Sequence, residues 1–99
     1  MSLFCIIGYD AVDSALKREQ LLEPHLQYLR ALNQKGGLFA AGPLMSPEKS
    51  DAEVCGSMLI VDFDSQKTVE NWFADEPFNQ AGVYKTIKIH PYKDALPFC

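Results

Sequence analysis

Val54-Cys55-Gly56-Ser57-Met58-Leu59-Ile60-Val61-Asp62-Phe63 decides the fold. The run is apolar at successive positions, as a strand with little solvent contact is. It gives way to Asp64-Ser65, whose short side chains accept hydrogen bonds from the exposed amides of a helix start. Val69, Trp72 and Phe73 then recur at i, i+3 and i+4, one face of a helix. Asp75-Glu76-Pro77 ends that helix and starts one further turn, closed by Gly82. From Val83 to Ile89 the chain alternates. Val83, Ile87 and Ile89 fall on one side and Tyr84, Thr86, Lys88 and His90 on the other, the period of a strand. Within the first strand of this half, Gly56-Ser57 marks a bulge or a close approach of two backbones.

The N-terminal half repeats the order. Leu3-Phe4-Cys5-Ile6-Ile7, closed by Gly8, reads as a strand buried on both faces. Asp13-Ser14 is a helix N-cap pair, and Leu22, Leu26, Leu29 and Asn33 form one helical stripe with Leu32 at its border. Pro24 interrupts it, because a mid-helix proline lacks the amide donor and clashes with the preceding turn. The pattern predicts a short helical turn over 14–20, then a main helix with Pro24 near its first position, stopped by Gly36-Gly37 with one glycine left-handed. Leu38-Phe39-Ala40-Ala41 reads as a second strand broken by Gly42-Pro43. Residues 45–53 read as a surface loop and 91–99 as a tail. Phe39, Trp72, Phe73 and Phe78 recur at structural periods and read as core. Two β-α-β halves predict one α+β domain over residues 1–99, ferredoxin-like β-α-β-β-α-β, with a four-stranded antiparallel sheet and helices on one face.

The 99 residues are 47% hydrophobic and 22% charged, with net charge −4. No basic cluster exists to meet phosphates, which argues against nucleic acid and against an anionic membrane surface. No apolar run reaches the roughly 20 residues that span a bilayer. Leu3 to Ile7 is too short for a secretory h-region. Cys5, Cys55 and Cys99 form no C-x-x-C pair; Cys5 and Cys55 read as small core residues, and a reducing cytoplasm fits them. No flavin, haem, nucleotide or metal pattern is present, so no cofactor is expected.

Two helices cover one side of a four-stranded sheet, yet the first and third strands are apolar at successive positions. The uncovered face would be a large apolar patch, which predicts a homodimer joined sheet to sheet. The alternative cover is the tail, with Pro91, Tyr92, Leu96, Pro97 and Phe98.

Four stretches carry a resemblance to a known family. They are Arg18 with Pro24-His25-Leu26, the histidine seven residues after the arginine; Gly36-Gly37-Leu38 leading to Ala41-Gly42-Pro43; Gly56-Ser57; and Ala74-Asp75-Glu76-Pro77-Phe78 with Ala81-Gly82-Val83-Tyr84. In order and spacing the chain resembles the YciI-like (YCII-related) family over nearly its whole length. The resemblance implies a dimeric α/β barrel and an active site built on a histidine and an aspartate in a cleft between sheet and helices. It also implies kinship with a dehydrochlorinase of a chlorinated hydroxyquinol, and more widely with lactone isomerases and cofactor-free oxygenases. Relatives read Asp-Pro where this chain reads Asp75-Glu76-Pro77, so Asp75 or Glu76 takes the acidic position; Asp75 is favoured because it follows Ala74.

His25 lies at the edge of the leucine stripe. Near a helix start its ring would be kept neutral and ready to accept a proton. Asp75 would hold one imidazole nitrogen and set the tautomer, or else cap the turn at Glu76-Pro77. Arg18 would clamp a substrate carboxylate or phenolate, or else be salt-bridged. Tyr9 and Asp10 would line the same pocket, and Gly42-Pro43 would shape its wall. These residues predict a small cofactor-free enzyme acting on a small polar or aromatic molecule by elimination, isomerisation or hydrolysis. The alternative is a non-catalytic dimeric module for a small ligand or a protein.

Overall fold

The computed structural model describes residues 2–48 and 53–95. In chain order the elements are β1 (Leu3–Asp10), α1 (Ser14–Gln34), β2 (Leu38–Met45), β3 (Val54–Asp62), α2 (Gln66–Ala74), α3 (Pro77–Gln80) and β4 (Tyr84–Tyr92). The sheet order is β2-β3-β1-β4, with every neighbouring pair antiparallel. This is the ferredoxin-like arrangement.

Residues paired across antiparallel strands share a face. Phe4 with Val61, Ile6 with Leu59 and Ile89, and Gly8 with Ser57 therefore lie under the helices. Cys5 with Ile60 and His90, and Ile7 with Met58 and Lys88, lie on the opposite face. The core joins Phe4, Ile6, Leu59 and Val61 of the sheet to Leu29 and Leu32 of α1, Val69 and Phe73 of α2, and Phe78 of α3. Cys5 and Cys55 are half-buried rather than core, and burial raises the Cys5 thiol pKa.

Several local expectations are corrected. Helix α1 is one continuous element with Pro24 inside it, and His25 is the twelfth of its 21 residues. The carbonyl that loses its donor belongs to Gln20, an exposed residue at which water can substitute. Its entry also differs: Asp13 is left-handed and makes no side-chain cap, while the buried Ser14 hydroxyl lies 2.8 and 2.6 Å from the Ala11 and Val83 carbonyls. The exit matches a Schellman stop, with Gly36 at φ 80° and Gly37 N–H bonded to Leu32 O.

Strand β2 runs through Gly42-Pro43 to Met45, tolerating the proline because it is a sheet edge. Phe39, beside a register shift in β2, is 47% exposed and outside the core. Strand β4 continues to Tyr92. Its register shifts so that Thr86 faces Tyr9 and Tyr84 faces Asp10, leaving Lys85 as an extra residue. That bulge flips the alternation and puts Tyr84 under the helices with Ile87 and Ile89. The Tyr84 ring lies over Gly8, where a Cβ would come within 2.7 Å of it. A Cβ on Gly56 would run into the Gly8 carbonyl oxygen, so this glycine marks a close backbone approach. Cys99 and the tail residues Leu96, Pro97 and Phe98 lie outside the described residues.

Candidate active site

A cavity of about 500 Å³ opens between α1 and the β2–β3 edge of the sheet. Leu22, Leu26 and Leu29 of the predicted stripe line it, facing Leu38, Ala41, Gly42, Pro43 and Leu59. The stripe is thus only partly packed against the sheet: Leu22 is 49% exposed, whereas Leu29 and Leu32 are buried. Volume and wall chemistry suit a small, largely apolar molecule held by a few polar groups. The cavity's polar side chains are Arg18, Glu19, His25, Arg30, Asn33 and Ser57, of which His25 and Ser57 are buried.

His25 is buried, with its ring stacked on Phe78 at 3.8 Å between centroids and 7° between planes. Its Nδ1 lies 3.0 Å from Glu76 Oε2. The acidic partner is therefore Glu76, and the expectation of Asp75 is corrected. Asp75 is exposed and ends α2; its carboxylate contact is a long one of 3.5 Å from Gln80 Nε2. Pro77 occupies the first turn of α3, which makes Glu76 the N-cap, and its Oε2 accepts the Phe78 amide at 2.7 Å. Capping turns the Glu76 side chain inward, where it is fully buried.

A carboxylate only accepts, so with Glu76 ionised the hydrogen of the His25 bond is carried by Nδ1. Nε2 is then the basic nitrogen of the neutral ring, and it makes no hydrogen bond among the described residues. A carboxylate behind one imidazole nitrogen fixes the tautomer and stabilises the imidazolium formed when the other takes a proton. This replaces the expected influence of a helix start, which His25, in mid-helix, does not feel. Glu76 Oε1 is buried without a hydrogen-bond partner among the described residues. Tyr28 O–H, bonded to Trp72 O at 2.6 Å, ties α1 to α2 and steadies this junction.

Arg18 also lines the cavity, but its fork is engaged within the protein. Nε and Nη2 each donate to Asp10 at 2.7 Å, and Nη2 also donates to Ser57 Oγ at 2.9 Å. Of the two readings of Arg18, the salt-bridged one is what the structure shows, with Asp10 on the Nε–Nη2 side of the fork, while Nη1 makes no hydrogen bond among the described residues. Burial alone would lower the Arg18 pKa, but the hydrogen bond and charge of Asp10, with Tyr84 and Glu76, raise it overall, and the guanidinium is held charged. Tyr9 is not among the cavity residues. Alternation along β1 places it on the uncovered face, 48% exposed, while the shift at Tyr9/Asp10 turns Asp10 toward Arg18. Gly42 and Pro43 do line the cavity, and no atom lies within 4 Å of a Cβ built on Gly42.

Ser57 and Phe78 were not read as site residues from sequence, and Glu76 stood only as the alternative to Asp75, although signals existed. Ser57 shares parity with Leu59 and Val61, which points it inward. Proline at a first helical position makes the residue before it the cap. Among the described residues no three His, Cys, Asp or Glu side chains converge as metal ligands.

Comparison with known proteins agrees with this architecture. Protein YciI of Escherichia coli O6:H1 is 33% identical over 94 residues, spanning 92% of this chain and 96% of that one. An uncharacterized protein of Haemophilus influenzae is 30% identical, spanning 91% and 95%. Among solved structures, the 5-chloro-2-hydroxyhydroquinone dehydrochlorinase TftG of Burkholderia phenoliruptrix AC1100, complexed with 2,5-dihydroxybenzoquinone, superposes with TM-score 0.83. It is 26% identical, and the match spans 94% of this chain and 95% of that one. SnoaB, a cofactor-independent oxygenase of Streptomyces nogalater, shares the fold alone, at TM-score 0.56 and 10% identity over 97% of each chain. The YCII-related domain matches residues 2–93, and the chain belongs to that family.

Proposed function

We propose that this protein is a small cofactor-free enzyme in which His25 Nε2 removes a proton from a compact aromatic or quinone-like hydroxy compound, with elimination as the reaction class. The observation that carries this reading is the His25–Glu76 pair at the cavity wall: one nitrogen is tied to a buried carboxylate and the other is unbonded. Burying an ionisable pair is unfavourable unless it serves a purpose, and a pure interaction module has no use for one. Similarity to a dehydrochlorinase supports elimination and points to a hydroxylated ring as substrate. In such a step His25 takes a hydroxyl proton from the ring's keto tautomer, in which the chlorine-bearing carbon is saturated and carries a hydrogen; the electron pair moves through the conjugated C=C to form the quinone, and chloride departs. Glu76 holds the imidazolium throughout.

The test is chloride release from 5-chloro-2-hydroxyhydroquinone by the purified protein, measured beside His25→Gln. Turnover that is lost in the variant supports the reading; turnover equal in both refutes the assignment of the base.

We also propose that two copies join through the uncovered sheet face. Cys5, Ile7, Met58 and Ile60 lie half-buried there, and Tyr9 and Phe39 are exposed at 48% and 47%. Water contact with that much apolar surface favours its removal by association.

A further inference from the structure

Phe78 has both faces of its ring occupied. His25 stacks on one, at 3.8 Å between centroids and 7° between planes. The Arg18 guanidinium carbon lies over the ring, 5.1 Å from its centroid. An imidazole in parallel contact covers the face it meets, so the guanidinium is over the other. Helix geometry agrees. Arg18 and His25 are seven residues apart on α1, two turns or about 10 Å along one stripe, which leaves room for a single ring between them. Phe78, 1% exposed, fills that space from the start of α3.

We infer that Phe78 is a positioning residue for His25, its face holding the imidazole plane and stabilising the imidazolium formed when Nε2 takes the substrate proton. The inference deepens the base reading above and rests on it. The hydrogen bond from Nδ1 to Glu76 fixes one ring atom but leaves the plane free to turn about that bond. A parallel neighbour at 3.8 Å removes this freedom, and Nε2 keeps one direction. Helix α3 therefore meets the imidazole twice, at Nδ1 through its cap Glu76 and across the face through Phe78.

An aromatic face is negative and attracts a cation placed against it, more strongly where water is excluded. A neutral imidazole gains little from this and an imidazolium gains most, so the face favours the protonated ring that the step produces. The proton passes from the substrate hydroxyl to Nε2, and no bond to Phe78 forms or breaks. Arg18, across the ring, would oppose a second cation, but Asp10 accepts from its Nε and Nη2 at 2.7 Å each and offsets that charge. Tyr84 flanks the same guanidinium at 5.7 Å and stays neutral, burial pushing its pKa up to about 12. Burial raises the Tyr28 pKa as well. Glu19 and Arg30 stand exposed at the cavity wall.

The test replaces Phe78 ring hydrogens by fluorine, one, two and three at a time, through site-specific incorporation of fluorophenylalanines. Fluorine drains negative charge from the face and changes the ring's shape little. His25 is titrated by nuclear magnetic resonance in each protein, with the melting temperature followed beside it. The proton affinity of His25 should fall stepwise, by about three- to thirtyfold at the third fluorine, while melting moves by only a few degrees. With 5-chloro-2-hydroxyhydroquinone, at a pH where His25 is neutral in every protein, kcat should fall in the same order and KM stay constant. The same series at Phe73, buried but not stacked on His25, should move neither quantity. If the trifluoro chain does not fold, the monofluoro ring, close to the natural one in size, decides by a smaller step of the same sign. A His25 titration indifferent to fluorine, an equal response from Phe73, or a kcat unchanged across the series overturns the inference. The titration needs no substrate. A wild type without turnover therefore overturns the base reading, while the titration still decides whether Phe78 stabilises the imidazolium.

Discussion

Substitution of Glu76 separates what this residue does for the fold from what it does for chemistry. In the native structure Oε2 accepts from Phe78 N–H at 2.7 Å and from His25 Nδ1 at 3.0 Å, while Oε1 has no partner among the described residues. Glu76→Gln keeps a carbonyl oxygen for both donors, and the Phe78 amide pins that oxygen in place. The unpartnered carboxylate oxygen becomes an unpartnered amide, so stability should change by no more than about 1 kcal/mol, since neutralising a buried charge offsets what is lost. Glu76→Ala strands both donors in the core at about 1–3 kcal/mol each, a total of about 3–5 kcal/mol with the lost packing. That is a large share of the ordinary stability of a domain. Turnover should order the variants differently. Glu76→Gln retains the tautomer but lacks the charge that stabilises the imidazolium, and should lose about ten- to a hundredfold in kcat. Urea unfolding and chloride release on the same samples provide both numbers. Equal destabilisation by glutamine and alanine would refute the reasoning, as would a glutamine variant with full turnover.

Three further outcomes follow from the geometry. Gly42→Leu has open space for its side chain and should fill part of the cavity; quinone binding should fall at least about tenfold while the melting temperature moves little, because no packed atom is displaced. Tyr84 binds its proton more tightly when folded than the ordinary value of about 10. Its contribution is whole below pH 10 and disappears as pH rises toward 12, so unfolding followed from pH 9 to 12 should show an extra loss of about 2–3 kcal/mol that Tyr84→Phe removes. Ile60→Asp, on the uncovered face, should convert a dimer into a monomer or unfold it in sedimentation at micromolar concentration; a wild-type protein that is monomeric there refutes the proposed assembly.

The strands and helices were legible because hydrophobic period and capping residues are local properties. Asp64-Ser65 before Val69, Trp72 and Phe73 is such a case, and Ser65 Oγ does accept the Thr68 amide. The misreadings arose where a neighbour outweighed local preference. Pro24 looked like a helix start, but tertiary packing of Leu29, Leu32 and His25 carries α1 through it. The alternation of β4 misplaced Tyr84 because a bulge is set by pairing with β1. Of the site, His25, Gly42 and Pro43 were legible and do line one cavity. Asp75 was preferred as partner because it follows Ala74; Pro77 decides otherwise by fixing Glu76 at the cap. Arg18 was recognised as salt-bridged or substrate-binding, but its partner Asp10 depends on the shift in β1.

The most direct test of the central claim is a long-range proton–nitrogen correlation spectrum of His25 in the nitrogen-15-labelled protein, with and without 2,5-dihydroxybenzoquinone. The account predicts a proton on Nδ1 of the neutral ring, an unprotonated Nε2, and an Nε2 resonance that moves when the quinone binds. A neutral ring protonated at Nε2, or an Nε2 resonance indifferent to bound quinone, would contradict it.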